Sequence, residues 1–367
     1  MKRLTIFASV ILFIFSNYSG KVRAQIKESI NHMPKLLTAL PEGCNAANGA
    51  TMDREGNIII TIPNHHNGYL MKVGELSTPA PKKIIKLSNA NEISDWYTFK
   101  DSDKYVETGK IDPKDCDFGP DNNLYITDGQ GRLVRINITD NEATDMDVLV
   151  EGFNFPNGLV WKEDILFVSE SILERKKASD ETNNEAYVLS GIYAFSFEEL
   201  QRVTINLSPF SEGNKDKHLI ETFKSSYKIG VGADGVTTDE EGNLYTAIFE
   251  DGIIYKTQFD SSNNVTETKL FTKNKMMQSV DGIVYDPISK KILVADLMGN
   301  AVYSIDMEGN VNLLHKNGDS NGADGSLEAP VDLVIRGREL IILNWDGNFG
   351  INEGPDKPFT ISVIQLQ

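Results

Sequence analysis

Along the chain, short apolar runs alternate with clusters of Asp, Asn and Gly, and apolar positions seldom recur at helical spacing. Runs of roughly four to eight β-branched and aromatic residues bounded by turn formers read as strands. Self-similarity then organises these strands. The segment Asn48-Gly-Ala-Thr-Met-Asp-Arg-Glu-Gly-Asn-Ile-Ile-Ile-Thr is echoed by Lys114-Asp-Cys-Asp-Phe-Gly-Pro-Asp-Asn-Asn-Leu-Tyr-Ile-Thr and by Asp234-Gly-Val-Thr-Thr-Asp-Glu-Glu-Gly-Asn-Leu-Tyr-Thr-Ala. Looser copies begin at Asn157, Asp281 and Val331. Each copy reads as a hairpin, with a turn of Asp, Glu, Gly and Asn between two apolar strands.

Third strands are predicted at 68–73, 132–137, 191–197, 252–257, 301–306 and 359–365, and fourth strands at 83–87, 146–151, 218–223, 266–271 and 311–315. The sixth unit has no fourth strand, while an unassigned strand at 35–40 precedes the first unit. This predicts an all-β fold, a six-bladed β-propeller whose N-terminal strand closes the last blade and removes the free edges of the ring. The alternative, a β-sandwich of unrelated hairpins, does not account for six anchored copies. The only helical turn expected is at 196–201.

Composition narrows the partners. The 367 residues carry 36 basic and 53 acidic side chains, a net charge of −17 without any Lys/Arg-rich block, which argues against nucleic acid and anionic membranes. Lys2 and Arg3 precede an apolar run, and Val22-Arg23-Ala24 sets small residues at the −3 and −1 positions of a cut, so 1–24 reads as a signal peptide and 25–367 as a single propeller domain. An exported protein, periplasmic or extracellular and monomeric, is expected. The apolar run is about twelve residues, short of the roughly 20 that span a bilayer, so no membrane insertion is expected. Cys44 and Cys116 are the only cysteines; export would permit their oxidation, although Cys116 is expected to point into a blade core.

In a propeller the first strand of each blade lines the central channel, so the six anchors form a ring at its mouth: Asn48, Lys114, Asn157, Asp234, Asp281 and Val331. Five are polar, and polar groups buried at strand starts need partners. Either water fills the channel or a cation does, and Asp and Asn oxygens suit a hard ion such as calcium.

Phe155-Pro-Asn-Gly-Leu-Val-Trp and Gly232-Ala-Asp-Gly-Val-Thr-Thr-Asp-Glu-Glu-Gly-Asn-Leu resemble motifs of the calcium-dependent six-bladed propellers, which include regucalcin (senescence marker protein), gluconolactonase, the drug-responsive lactonases and diisopropyl fluorophosphatase. The resemblance implies that Asn157 and Asp234 bind a channel calcium and that Asp234 is also the base or nucleophile. Two positions depart from that pattern: Asn48 stands where the family commonly has Glu, and Lys114 where it has Asn. An ammonium about 5 Å from a divalent ion repels it by roughly 5–7 kcal/mol at an effective dielectric of 20. Lys114 must therefore turn away, lose its proton or replace the metal, while Asp281 adds a compensating carboxylate. The expected metal set is Asn48, Asn157, Asp234 and Asp281.

The loops between second and third strands share the face of the ring and carry His65, His66, Asp128, Glu170, Glu250, Asp296 and Asp346, which predicts an acidic pocket with two histidines on one side. Ile62-Pro-Asn-His-His is weakly similar to a paraoxonase motif and makes His65 a candidate proton shuttle. Insertions at 88–113, with Trp96 and Tyr97, and at 172–190 are expected to wall the mouth, with Trp96 and Lys114 contacting substrate. The leading expectation is a gluconolactonase-like hydrolase of a sugar lactone or related ester. The alternative is a non-catalytic propeller that binds a ligand or a protein on the same face.

Overall fold

The computed structural model describes residues 32–100, 111–177 and 185–366; the expected signal peptide lies outside them. Six antiparallel sheets follow one another in a ring, the six-bladed propeller that the repeat implied. From the channel outward, blade one is Ala50–Met52, Ile58–Ile62, Lys83–Leu87 and Ile93–Thr98. Blade two is Pro113–Phe118, Leu124–Asp128, Arg132–Thr139 and Glu142–Glu151, with the short Ile205–Asn206 added in parallel outside it. Blade three is Pro156–Lys162, Ile165–Lys176, Tyr187–Ser196 and Leu219–Ser226, and blade four is Ala233–Thr238, Leu244–Ile248, Ile253–Phe259 and Val265–Lys273. Blade five is Ile283–Asp286, Lys291–Asp296, Ala301–Asp306 and Val311–Lys316. The last sheet comprises Pro330–Arg336, Glu339–Asn344, Thr360–Gln365 and, at its outer edge, Lys35–Ala39.

The hairpin turns follow from the repeated Asp-x-x-Gly-Asn pattern. Asp239 Oδ1 accepts the backbone N–H groups of Glu241 at 3.0 Å and Asn243 at 2.9 Å, and Gly242 supplies the left-handed residue at φ +75°. Asp53 does the same for Glu55 and Asn57. The apolar residues do not form one central core. Among the described residues they form six clusters, one between each pair of neighbouring blades, so that each blade face packs on the next blade.

Three expectations change. Residues 68–73 are not the third strand of blade one: Asn67–Lys72 is a short helix that buries Leu70 and leaves Tyr69, Met71 and Val73 exposed. The third and fourth strands there are Lys83–Leu87 and Ile93–Thr98, so most of the described part of the first supposed insertion belongs to the blade. The second is mainly a long hairpin, with pairing continuing from Glu174↔Leu189 to Lys176↔Tyr187. Cys44 and Cys116 are both free and buried, and they pack in different inter-blade clusters. The helical turn after Ser196 is present as Phe197–Leu200, with the Ser196 hydroxyl accepting the Glu199 N–H at 3.3 Å.

Candidate functional site

At the anchor positions the inner strands break register. Shifts fall between Pro113 and Cys116, Pro156 and Leu159, Ala233 and Val236, and Pro330 and Asp332, so Lys114, Asn157, Asp234 and Val331 each sit in an irregularity that frees the strand from its ladder. Asn48 and Asp281 lie just ahead of their strands. Hydroxyls of one blade hold the neighbouring blade's anchor region: Thr61 Oγ1 donates to the Lys114 carbonyl at 2.5 Å, Ser171 Oγ to the Ala233 carbonyl at 2.6 Å, and Thr127 Oγ1 to the Asn157 carbonyl.

The ring opens into a cavity of about 180 Å³. Asn48, Asn157, Asp234, Asp281 and Val331 line its base, and apolar side chains including Phe155, Val231, Phe249, Trp345 and Phe349 line its walls. Asp234 is 4% exposed and Asp281 8%. The side chains of Asn48, Asn157, Asp234 and Asp281 make no hydrogen bond to any described residue. Burial, opposed in part by Lys114 and reinforced by Asp332, pushes the Asp234 carboxyl up to about 7. Burial and the Asp234 charge push Asp281 well above the usual carboxylate range.

Lys114 has turned toward the rim. Its Nζ stands 3.2 Å from Asp112 Oδ2, 3.3 Å from His65 Nε2 and 5.4 Å from the centre of the Phe155 ring. His65 is fixed from both sides, with Nε2 at 2.6 Å from Asp112 Oδ1 and Nδ1 at 3.0 Å from Trp345 Nε1. An indole N–H can only donate, so His65 Nδ1 accepts and Nε2 carries the proton toward Asp112. Burial lowers the His65 pKa despite Asp112, which keeps the ring neutral near pH 7. Burial opposes ionisation of Asp112 too, but its hydrogen bond from His65 and the Lys114 ammonium outweigh that and hold it well below the usual carboxylate range.

Below the ring the channel narrows to about 30 Å³, and here Asp115 and Asp332 join Asp234 and Asp281. A Cβ on Gly282 would lie 2.4 Å from Asp332 Oδ1, so the neighbouring blade leaves no room for a side chain there. Asp332 Oδ2 accepts the Ala50 N–H at 2.8 Å, and Asp115 Oδ2 accepts the Leu159 N–H at 3.0 Å, each bridging to the next blade. Burial raises both carboxyls, Asp332 to about 7 and Asp115, aided by Asp332, well above its ordinary range. A larger cavity of about 460 Å³ then opens to the opposite face. Sequence reasoning missed these two residues, although a signal was present: each replaces the glycine that follows the anchor in the other four copies.

The loop acids expected to line the pocket do not face it. Asp128, Glu170, Glu250 and Asp296 are at most 1% exposed and absent from the cavity lining, because each accepts backbone N–H groups of the segment leading into its own inner strand. Asp128 takes that of Asp112 at 2.8 Å, Glu170 those of Asn154 and Phe155, Glu250 that of Val231 at 2.5 Å, and Asp296 those of Gln278 and Ser279. Asn64 and Asn344 play the same part in blades one and six. His66 is also used internally, donating from Nε2 to the Trp345 carbonyl at 2.7 Å. Trp96 is not at the mouth: it lies on the outer strand of blade one and packs against the cluster between blades one and two. Trp345 and Phe349 supply aromatic wall instead.

Does the base suit a hard cation? Two carboxylates and two amide oxygens share one surface without protein partners, a donor set that calcium accepts. No group of three or more His, Cys, Asp or Glu side chains among the described residues is arranged to hold an ion, so Asn and solvent oxygens would have to complete the shell. The pairing of Lys114 with Asp112 offsets the ammonium that would otherwise oppose it.

No protein-family model matches the sequence, and no curated protein does. Solved structures match over nearly the whole chain. Regucalcin from Agrobacterium tumefaciens, described as a calcium-binding protein, aligns at TM-score 0.55 and 11% identity over 92% of this chain and 96% of its own. A gluconolactonase from Xanthomonas campestris aligns at 0.54 and 11%, over 91% and 89%. A luciferin-regenerating enzyme aligns at 0.57 and 10%, over 91% and 96%. At such identities the likeness establishes the propeller fold and leaves the chemistry to the residues.

Proposed function

We propose that this chain is an exported, gluconolactonase-like hydrolase of a sugar lactone or related small ester. One observation carries the reading: Asp234 and Asp281 lie nearly buried and unpartnered at the base of a mostly apolar cavity, beside Asn48 and Asn157. A carboxylate without a protein partner, facing the cavity, is suited to general-base work. The cavity volume suits one small ring rather than a polymer.

Asn48, Asn157, Asp234 and Asp281 would hold calcium. When bound, such an ion polarises a carbonyl oxygen. In the hydrolysis itself Asp234 takes a proton from water while the water oxygen attacks the carbonyl carbon. The carbon–oxygen bond of the lactone ring then breaks, and the departing oxygen is protonated. The Lys114 ammonium stands at the cavity as the donor for that step, held by Asp112, which His65 Nε2–H positions in turn, and Trp345 and Phe349 exclude water from the wall.

The test is turnover of a panel of sugar lactones and aryl esters by the chain with calcium and after chelation, together with Asp234→Asn. Calcium-dependent hydrolysis that the variant lacks supports the reading. Absence of turnover under both conditions, or full turnover by the variant, overturns it and favours a ligand-binding propeller.

A further inference from the structure

Away from the channel, the connection from blade five into blade six and a loop within blade six meet on the mouth face. One leads from Lys316 to Pro330, and the other joins Asn344 to Thr360. They carry Asp319, Glu328, Asp346 and Asp356. Glu328 and Asp346 are each 2% exposed, whereas Asp319 and Asp356 stand at an exposed lip. The loops are tied by the Asp346 N–H, which donates to the Glu328 carbonyl at 2.9 Å.

Half of the buried acid is satisfied. Glu328 Oε1 accepts from Ser320 Oγ at 2.5 Å, and Asp346 Oδ2 accepts from the Asp356 N–H at 3.3 Å. The other two oxygens, Glu328 Oε2 and Asp346 Oδ1, are buried without a hydrogen-bond partner. A buried unpaired carboxylate oxygen is costly, and native structures rarely leave one without a reason. No Lys, Arg or His forms an ion pair with any of the four acids among the described residues. Burial first, and the neighbouring acids next, push Asp346 up to about 8; Glu328, buried and beside Asp319, rises to about 7.

We propose that this blade-six cluster is a second divalent-cation site, separate from the channel, in which Glu328 and Asp346 are direct ligands of calcium. The donors are all oxygen, which selects a hard ion, and calcium accepts main-chain carbonyls and water beside two carboxylates. Asp319 and Asp356 supply further negative charge at the entrance. The position gives the ion a task. Asp346 follows Trp345, whose indole holds His65, and Phe349 lies three residues further along the same loop. Both aromatic residues wall the central cavity, so an ion here would fasten the loop that shapes it.

The site is tested in the Asp234→Asn/Asp281→Asn background, which removes the two carboxylates at the base of the mouth cavity and leaves Asp115 and Asp332 below it. Terbium is titrated into the full chain with tryptophan excitation, and calcium is used to compete it off. The expected result is sensitised luminescence saturating at one ion per chain and abolished by adding Glu328→Gln/Asp346→Asn, with the far-ultraviolet dichroism unchanged. Luminescence that survives those changes, or is absent from the background chain, overturns the proposal. Should the blade-six variant fail to fold, Asp319→Asn/Asp356→Asn at the exposed lip gives the answer. An affinity lowered at least fivefold supports the site, and an unchanged affinity overturns it. The result is independent of whether the channel binds an ion or hydrolyses a lactone.

Discussion

The indole of Trp345 and the imidazole of His65 are 280 residues apart in sequence and joined by a 3.0 Å hydrogen bond across the seam between blades six and one. That bond decides which nitrogen of His65 carries the proton, and so which way the proton points. Trp345→Phe keeps an aromatic wall but removes the donor, freeing the other tautomer. Hydrolysis should fall about tenfold in kcat with little change in KM, and stability should drop by about 1 kcal/mol. A loss confined to KM would mean that Trp345 only contacts substrate.

Lys114 shares a cavity with the candidate calcium ligands while pairing with Asp112. Even partly neutralised, its charge opposes a divalent ion. Lys114→Asn should tighten calcium binding at least tenfold by calorimetry. Unchanged affinity would show that Asp112 cancels the ammonium completely.

The carboxyls of Asp234 and Asp332 lie at about 7 in the folded chain against an ordinary value of 3.8. Between these values the folded state keeps protons that the unfolded state has released, so their contribution makes stability fall as pH rises from about 4 to 7. The calcium-free chain should therefore melt several degrees lower at pH 8 than at pH 5, and saturating calcium should remove much of the difference. Asp234→Asn should flatten the profile. A melting temperature that rises across this window without calcium contradicts the assignment.

Asp332 both holds the Ala50 N–H and adds charge to the waist of the channel. The two roles separate by substitution. Asp332→Asn keeps an acceptor oxygen and removes the charge, and should raise stability by about 1 kcal/mol at pH 8. Asp332→Ala leaves the N–H unpaired and should cost about 1–3 kcal/mol. Urea unfolding of both variants at pH 8 checks the order; equal effects would mean that the bridge to Ala50 contributes nothing.

Six hairpin units could be read from the sequence because the information is local. Asp239, Gly242 and Asn243 determine a turn within five residues, and the copies at Asp53 and Asp121 repeat much of it. The ring of anchors followed from the same repeat: Asn48, Lys114, Asn157, Asp234 and Asp281 do line one cavity. Residues 68–73 misled because an apolar run does not reveal whether one side chain or a whole face will be buried, and only Leu70 is.

What the sequence by itself determined was the number of blades and the chemistry at their inner ends, since each depends on residues a few positions apart. Only the tertiary structure decided which acids face the cavity. Asp128, Glu170, Glu250 and Asp296 occupy equivalent loop positions that look as available as the anchors, but each is consumed by backbone N–H groups some sixteen to twenty residues away in its own blade. The placement of Lys114 against Asp112, of Asp332 against the next blade and of Trp345 against His65 depends on how separate sheets pack. Such contacts form only when the ring closes, because burial and the loss of water fix which polar groups must pair with one another.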